Sequence, residues 1–286
     1  MRRVYWPVIR ATVPPPGRGS RRVWRSGRQL GDRRGVAASL NNLGNVTCEQ
    51  GDFASARPLH EESLAIAREL GDQNGKALAL NNLGSVALIQ RDIASARALY
   101  EESLAIAREL GNRGGIASSL LNLGNVELDQ GDYPTARARH EESLAIMREL
   151  EDRSGIARSL HNVGNVAIDQ GDYPAAGALY QEGLVIRREL GDKRGIASSL
   201  EGLAAVVAAL GNSLRGARIW GAAERLREEI GSPLPPNERP HYDRRVVQAR
   251  GALGDDAAFD RAWQQGRTLP LEQLDKYLTD LKEQQR

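Results

Sequence analysis

The hexapeptide Glu-Glu-Ser-Leu-Ala-Ile at residues 61–66 returns unchanged at 101–106 and again at 141–146. The interval is forty residues each time. A fixed period of this length indicates a chain built from one small structural unit that is stacked on copies of itself. Stacked units expose an extended surface that typically binds a partner. The sequence therefore predicts a repeat architecture, with binding rather than catalysis as its use.

Each unit is predicted to contain two helices. In the first unit, small and apolar residues recur at helical spacing over about 35–50 and 53–70. Gly51 suits the left-handed turn that ends a helix, and Asp52 suits the cap that begins the next one. The units follow one another as 33–72, 73–112, 113–152, 153–192 and a degenerate fifth from 193 to about 231.

Composition narrows the class of protein. The hydrophobic fraction is 41% but the aromatic fraction only 5%, so the core consists mainly of Leu, Ala, Ile and Val, which suits closely packed helices. The net charge of +2, with acids and bases well mixed, makes nucleic acid an unlikely partner. A single cysteine, Cys48, cannot form an internal disulfide. A lone cysteine fits a reducing, cytoplasmic setting, although a secreted chain without disulfides is an alternative. No apolar run approaches the ~18 residues of a membrane span, so we expect no membrane partner.

Three segments are expected along the chain: an Arg-rich leader over 1–30, the repeat array over 31–231 and a helical cap over 232–286. The leader holds eight arginines and no acidic residue, and Pro14-Pro15-Pro16 opposes regular structure. It is either a basic arm for nucleic acid or an anionic membrane, or a disordered or truncated segment. We favour the second interpretation.

A glycine lies inside the first helix of four successive units, at Gly44, Gly84, Gly124 and Gly164. A glycine within a helix costs about 1 kcal/mol relative to alanine. Its repetition at one phase therefore predicts close approach of a neighbouring helix that a Cβ would block. Ala56 and its equivalents on the second helix are expected to face this gap.

The Leu-Gly pair at 43–44, the small residue Ala56 and the ring of His60 together resemble the tetratricopeptide repeat. The usual period of that repeat is 34 residues, and the forty-residue form is similar to the repeats of kinesin light chain and of many bacterial signalling proteins. The resemblance covers about 33–231. It implies an all-α fold, a right-handed α-solenoid of helix-turn-helix repeats with a helical C-terminal cap. The sequence departs from the family at Thr47, Ala87 and Ser63.

The tail carries a second resemblance. Residues 216–224, the proline-rich stretch 233–236, and Phe259 with Trp263 and Gly266 look like the C-terminal end of large bacterial regulators. Those proteins join an ATPase, often with a cyclase or a LuxR-type DNA-binding domain, to a tetratricopeptide array. By spacing, residues 237–285 predict about three further helices that close the stack, since the last repeat would otherwise expose its apolar face.

The sequence offers little that could carry chemistry. It has no phosphate-binding Gly-Lys-Ser/Thr loop, and its four histidines, His60, His140, His161 and His241, are dispersed without metal-ligand spacing. His60 and His140 share the phase of Tyr100 and Tyr180, so we interpret them as packing rings. We therefore predict no catalytic residue, no metal site and no cofactor.

Asparagines form the most informative polar set. One recurs in each of four units, at Asn42, Asn82, Asn122 and Asn162, and three residues further on stand Asn45, Ser85, Asn125 and Asn165. Asn41, Asn81 and His161 flank them. These side chains share a helix face, and in tetratricopeptide arrays that helix lines the concave surface. An amide both donates and accepts hydrogen bonds, so the set can bind the backbone of an extended peptide. Alternatively, Asn42 and its equivalents hold the repeats together; Asn45 and its equivalents are assigned to the groove.

Three functions follow from these patterns. The first is a non-enzymatic module that holds a peptide or protein segment in the concave groove. Glu49, Asp129 and Asp169 with Leu88, Leu128 and Ile168 would favour a peptide with apolar anchors and one or two basic residues. The second is the sensor region of a bacterial transcription or nucleotide-signalling regulator, and the third, an enzyme, has no supporting motif.

Overall fold

The computed structural model describes residues 32–236 and 238–270. The predictions for the leader 1–30, for a third tail helix beyond 270 and for the side chain of Glu49 lie outside what is described. Within the described residues there are twelve α-helices and no strand, which confirms the all-α prediction. The helices are α1 (Arg33–Glu49), α2 (Phe53–Leu70), α3 (Gln73–Ile89), α4 (Ile93–Glu109), α5 (Arg113–Asp129), α6 (Tyr133–Glu149), α7 (Arg153–Asp169), α8 (Tyr173–Glu189), α9 (Lys193–Ala209), α10 (Ser213–Glu229), α11 (Arg239–Leu253) and α12 (Asp256–Arg267).

Every helix from α1 to α10 begins after an aspartate or asparagine whose side chain accepts a backbone N–H three residues on. Asp52, for example, accepts from the N–H of Ser55 at 3.1 Å. Most turns also contain a glycine with positive φ, such as Gly51 at 81°, where a side chain would be strained. Two turns place Arg91 and Glu151 in the same conformation. These repeated caps and turns set the same angle between each pair of helices.

The ten helices of the array form five pairs. We call α1, α3, α5, α7 and α9 the A helices and α2, α4, α6, α8 and α10 the B helices. Each A helix packs on its own B helix, and each B helix on the next A helix. Successive A helices also contact one another, whereas successive B helices within the described residues lie further apart. The stack therefore curves with the A helices on its concave side, as the solenoid prediction requires.

The rings of the B helices fill the space left by the A-helix glycines. A Cβ added to Gly124 would lie 2.5 Å from a ring carbon of His140, and one added to Gly84 would lie 2.6 Å from the ring of Tyr100. The close approach was predicted, but the nearest group is the ring rather than the alanine of the B helix. The alanine, Ala136 in the third unit, is fully buried nearby.

Serines join the two helices within the first three units. Ser63, Ser103 and Ser143 on the B helices each donate to an A-helix carbonyl at 2.9 Å, those of Ala37, Ala77 and Ala117 respectively. Because a buried hydroxyl requires a partner, these bonds fix the rotation of one helix against the other. The departure of Ser63 from the family pattern thus has a structural role.

The tail uses its two described helices differently. Helix α12 packs along α10, and the two backbones come so close that a Cβ on Gly221 would lie 2.1 Å from the carbonyl oxygen of Trp263. Phe259 and Trp263 pack on Trp220, with ring centroids 6.0 to 6.4 Å apart. Helix α12 therefore covers the apolar face of the last pair, while α11 lies elsewhere, against the concave side.

Candidate peptide-binding groove

The repeated asparagines form a ladder between successive A helices. Asn82 donates from Nδ2 to Oδ1 of Asn41 at 3.0 Å, and Asn122 donates to Oδ1 of Asn81 at 2.6 Å. Each bond runs from one unit to the flanking asparagine of the unit before it. The interpretation that Asn42 and its equivalents hold repeat geometry therefore has direct support at these rungs.

Several flanking residues are also engaged within the protein. Asn41 is buried, and its Oδ1 also lies 2.8 Å from Nδ1 of His60. An amide oxygen only accepts, so Nδ1 carries the proton of that ring. Asn81 donates to Ser119 at 3.1 Å, and the hydroxyl of Ser85 accepts from Tyr100 at 3.1 Å. These side chains position the helices and have little capacity left for a ligand.

Asn42 and Asn45 differ from the rest of the set because both are exposed. They lie on α1 three residues apart, beside Val46, which is 46% exposed, whereas the valine at this phase is fully buried in each later unit. Asn82 and Asn122 are half-buried. Among the described A helices, α1 is thus the one on which these amides and an apolar side chain are accessible.

The histidines of the array, His60, His140 and His161, are all held in the uncharged form by their surroundings. Burial lowers the pKa of His60 and that of His140 to about 4 in each case. Burial, followed by the charge of Arg187, lowers the pKa of His161 well below its usual value, and the His161 ring lies 5.3 Å from that of Tyr180. At neutral pH these rings are uncharged, as expected of packing residues.

The C-terminal part of the concave face is covered by α11. Nε2 of His241 lies 3.1 Å from Oδ1 of Asp129 on α5. Arg245 donates from Nη1 to Oδ1 of Asn165 at 3.0 Å and from Nη2 to Oδ1 of Asp169 at 3.3 Å on α7. The predicted groove residues Asn165 and Asp169 therefore already have an occupant from the same chain. No sequence pattern indicated this, because the tail was expected only to close the end of the stack.

A pocket of about 120 Å³ remains between α11 and the A helices α5, α7 and α9. Its lining combines amides, acids and apolar groups, among them Asn125, Asp129, His161, Asn162, Asn165, Leu88, Leu128, Glu201, Tyr242 and Arg245. The predicted residues Asn125, His161, Asn162 and Asn165 thus meet at one place. Ile168, predicted to line the groove, lies instead in the core that includes Trp220. The described residues contain no group of three or more potential metal ligands.

The sequence analysis did not predict the buried charged residues of the array. Glu127 on α5 is 2% exposed, and Nε of Arg139 lies 2.7 Å from its carboxylate. Arg227 forms a bidentate ion pair with Glu201, donating from Nε at 2.5 Å and from Nη2 at 2.8 Å to the two carboxylate oxygens. The forty-residue spacing could have singled out Glu127, since the other four units carry the uncharged residues Thr47, Ala87, Ala167 and Val207 at its phase. None of the described helices is long and apolar enough to cross a bilayer.

Three solved structures share this fold at low sequence identity. BtubC (BKLC) from P. vanneervenii is 21% identical, with a TM-score of 0.60 over 76% of this chain and 91% of that one. A Rap protein complexed with competence and sporulation factor is 15% identical, with a TM-score of 0.62 over 86% of this chain and 64% of that one. The TPR-like repeats of a putative kinesin light chain from Podosopora anserina are 16% identical, with a TM-score of 0.50 over 68% and 96% of the two chains.

No curated protein matches the sequence. The family model for the tetratricopeptide repeat matches residues 35–109, 115–184 and 155–214, which together make up more than half of the chain. The stacked A and B helices and their forty-residue period agree with that match. The chain therefore belongs to the tetratricopeptide repeat family, with repeats of the kinesin-light-chain-like kind.

Proposed function

We propose that the protein is a non-catalytic scaffold that binds a peptide or protein segment in its concave groove. The observation that carries the proposal is the pair of exposed amides of Asn42 and Asn45 beside the exposed Val46. Residues spaced by three and four lie on one helix face. Two amides can pair with both the N–H and the C=O of an extended peptide, and Val46 offers an apolar contact next to them.

Two further points support a binding role. Tetratricopeptide repeats are generally non-catalytic, and the repeat residues here that could carry chemistry are engaged in packing. The Rap protein of similar fold is complexed with competence and sporulation factor. On this proposal the present chain also binds a partner, and its ligand is selected by the amides and by the acids further along the groove.

Selection from a random peptide library displayed on phage tests the proposal. The full chain serves as bait, and the selected peptides are synthesised and measured by fluorescence anisotropy. We expect them to bind the native protein and to lose affinity by about tenfold or more for the variant Asn42→Ala with Asn45→Ala. The matched control replaces Glu61 and Glu101, which are exposed on the B helices, by alanine and should bind as the native chain does. No selected peptide, or equal affinity for both variants, would count against a groove ligand.

A second candidate function is the sensor region of a bacterial regulator, whose output domains lie outside this chain. The observation that favours it is α11 on the concave face, because a groove that the chain itself covers can be switched by a ligand. The tail residues that carry the resemblance to such regulators, Phe259 and Trp263 among them, also form the contact of α12 with α10. The coding sequence directly upstream tests this candidate: an in-frame ATPase or DNA-binding domain would support it, and an unrelated gene would oppose it.

A further inference from the structure

Helix α11 presents two basic side chains to the groove on one of its faces. His241 and Arg245 are four residues apart and therefore lie one turn apart on the same side. They meet Asp129, Asp169 and Asn165, which belong to two different A helices. Tyr242, next to His241, packs on Trp220 with ring centroids 6.4 Å apart. Helix α11 therefore presents two basic side chains and an aromatic ring to a surface that is lined by carboxylates and an amide.

The apolar contacts of α11 are mostly partial: Tyr242, Val246 and Leu253 are half-buried against the core that contains Trp220. Ala249 is its one buried residue among those described, and Val247 is 67% exposed. No side chain caps its N-terminus, it follows the proline-rich stretch 233–236, and it ends at Gly254 in the left-handed conformation. Segments with little buried apolar surface open at low free energy. By contrast, α12 buries Phe259 completely.

The fit between α11 and the groove is also incomplete. Within the described residues, no hydrogen bond reaches Oδ2 of Asp169 or Nε of Arg245, although both atoms are buried. Oδ2 of Asp169 lies 3.8 Å from Nδ1 of His241, which is beyond hydrogen-bonding distance. Buried polar atoms without partners are costly, so a segment whose basic group donates to Oδ2 of Asp169 would satisfy an acceptor that α11 leaves open.

We infer that the groove over α5, α7 and α9 binds a helical segment of a partner protein that presents two basic side chains one turn apart beside an aromatic ring. Helix α11 is the resident occupant that such a segment displaces. The inference rests on the proposed function and specifies its ligand: Asp129 and Asp169 select the basic groups, and the apolar floor near Trp220 selects the ring. Charge complementarity supplies the selection more than the affinity.

A labelled synthetic peptide with the sequence of residues 238–254 tests the inference, measured by anisotropy against the full chain. Native protein should bind it weakly, because the internal helix competes. The variant His241→Ala with Arg245→Ala should bind it about tenfold more tightly, since the fraction of open groove rises. Adding Asp129→Asn and Asp169→Asn should abolish that gain. A control peptide in which the residues corresponding to His241 and Arg245 are replaced by alanine should not bind.

Hydrogen exchange on the same proteins provides a second measurement that needs no ligand. Amides of α11 should exchange faster in the variant His241→Ala with Arg245→Ala, whereas those of α10 and α12 should keep their native rates. Peptide binding that is equal in all variants, or exchange in α11 as slow as in α10 and unchanged by the substitutions, would overturn the inference. Because these readouts concern α11 and the carboxylates, they are independent of the library test on Asn42 and Asn45.

Discussion

Asn162 on α7 donates a hydrogen bond from Nδ2 to Oδ1 of Asn125 on α5 at 3.0 Å, whereas the equivalent Asn122 donates to Asn81. The ladder changes its acceptor here because Leu121 occupies the position that Asn41 and Asn81 hold in the first two units. The same leucine explains why the buried His140 lacks the amide partner that His60 has in Asn41.

This switched rung predicts that Asn125→Ala destabilises the protein. Asn162 is 9% exposed, and the substitution leaves its Nδ2 without an acceptor, which should cost about 1–2 kcal/mol. Urea unfolding followed by circular dichroism measures the cost. Asn45→Ala is the matched control, since Asn45 occupies the equivalent phase but is exposed, and its effect should stay within about 0.5 kcal/mol. Equal effects of the two substitutions would contradict the ladder as a stabilising feature.

The buried histidines predict loss of stability in mild acid. Their folded-state pKa of about 4 lies below the ordinary value of 6.5. Stability is therefore complete above pH 6.5 and falls as the pH drops towards 4, because the unfolded chain takes up protons first. At pH 5 each ring should cost about 2 kcal/mol.

The variant His140→Tyr should remove the contribution of this histidine to the pH dependence of stability. The ring of tyrosine should fit, since Tyr100 and Tyr180 already occupy the same phase. Denaturant midpoints between pH 7 and 5 measure it. Tyr100→Phe removes no group that titrates in this range and should keep the native slope. An unchanged slope in His140→Tyr would show that this histidine is not the source.

The crossing of α12 over α10 predicts that Gly221→Ala displaces the cap. A Cβ at this position would lie 2.1 Å from the backbone oxygen of Trp263, and backbone cannot move aside as a flexible side chain does. Overpacking of this kind costs about 1–3 kcal/mol, and thermal unfolding followed by tryptophan fluorescence would report it. In Gly251→Ala, where no atom lies within 4 Å, the melting temperature should be unchanged or slightly higher. A native midpoint for Gly221→Ala would rule out the close crossing.

The pair Glu127 and Arg139 predicts a compensated double substitution. The second and fourth units have alanine at the phase of Glu127 and leucine at the phase of Arg139, namely Ala87 with Leu99 and Ala167 with Leu179. Glu127→Ala or Arg139→Leu alone should cost about 1–2 kcal/mol. The first removes the acceptor that Arg139 and Arg97 share, and the second leaves the buried Glu127 with only its longer bond to Arg97 at 3.3 Å. Together they restore the pattern of the neighbouring units and should lie within about 1 kcal/mol of the native protein. Simple additivity of the two single losses in a double-mutant cycle would refute this coupling.

Periodicity was sufficient to predict the array, because every copy of the unit has to bury the same faces. The predicted helices at 35–50 and 53–70 are observed at Arg33–Glu49 and Phe53–Leu70, and the aspartate caps stand where the pattern placed them. The sequence could not predict which of the site residues are exposed to solvent and which form hydrogen bonds within the protein. Asn42 and Asn82 share a phase, yet Asn42 is exposed whereas Asn82 is half-buried and donates to Asn41 of the unit before it.

The sequence by itself determined the repeat, its helical character, its turns and the face that carries the amides, since these depend on local spacing and on contacts between adjacent copies. Only the tertiary structure decided which amides form hydrogen bonds within the stack and where α11 lies. The bond from Arg245 to Asn165 joins residues 80 positions apart. No local pattern encodes such a contact, because it depends on the curvature that the whole stack accumulates.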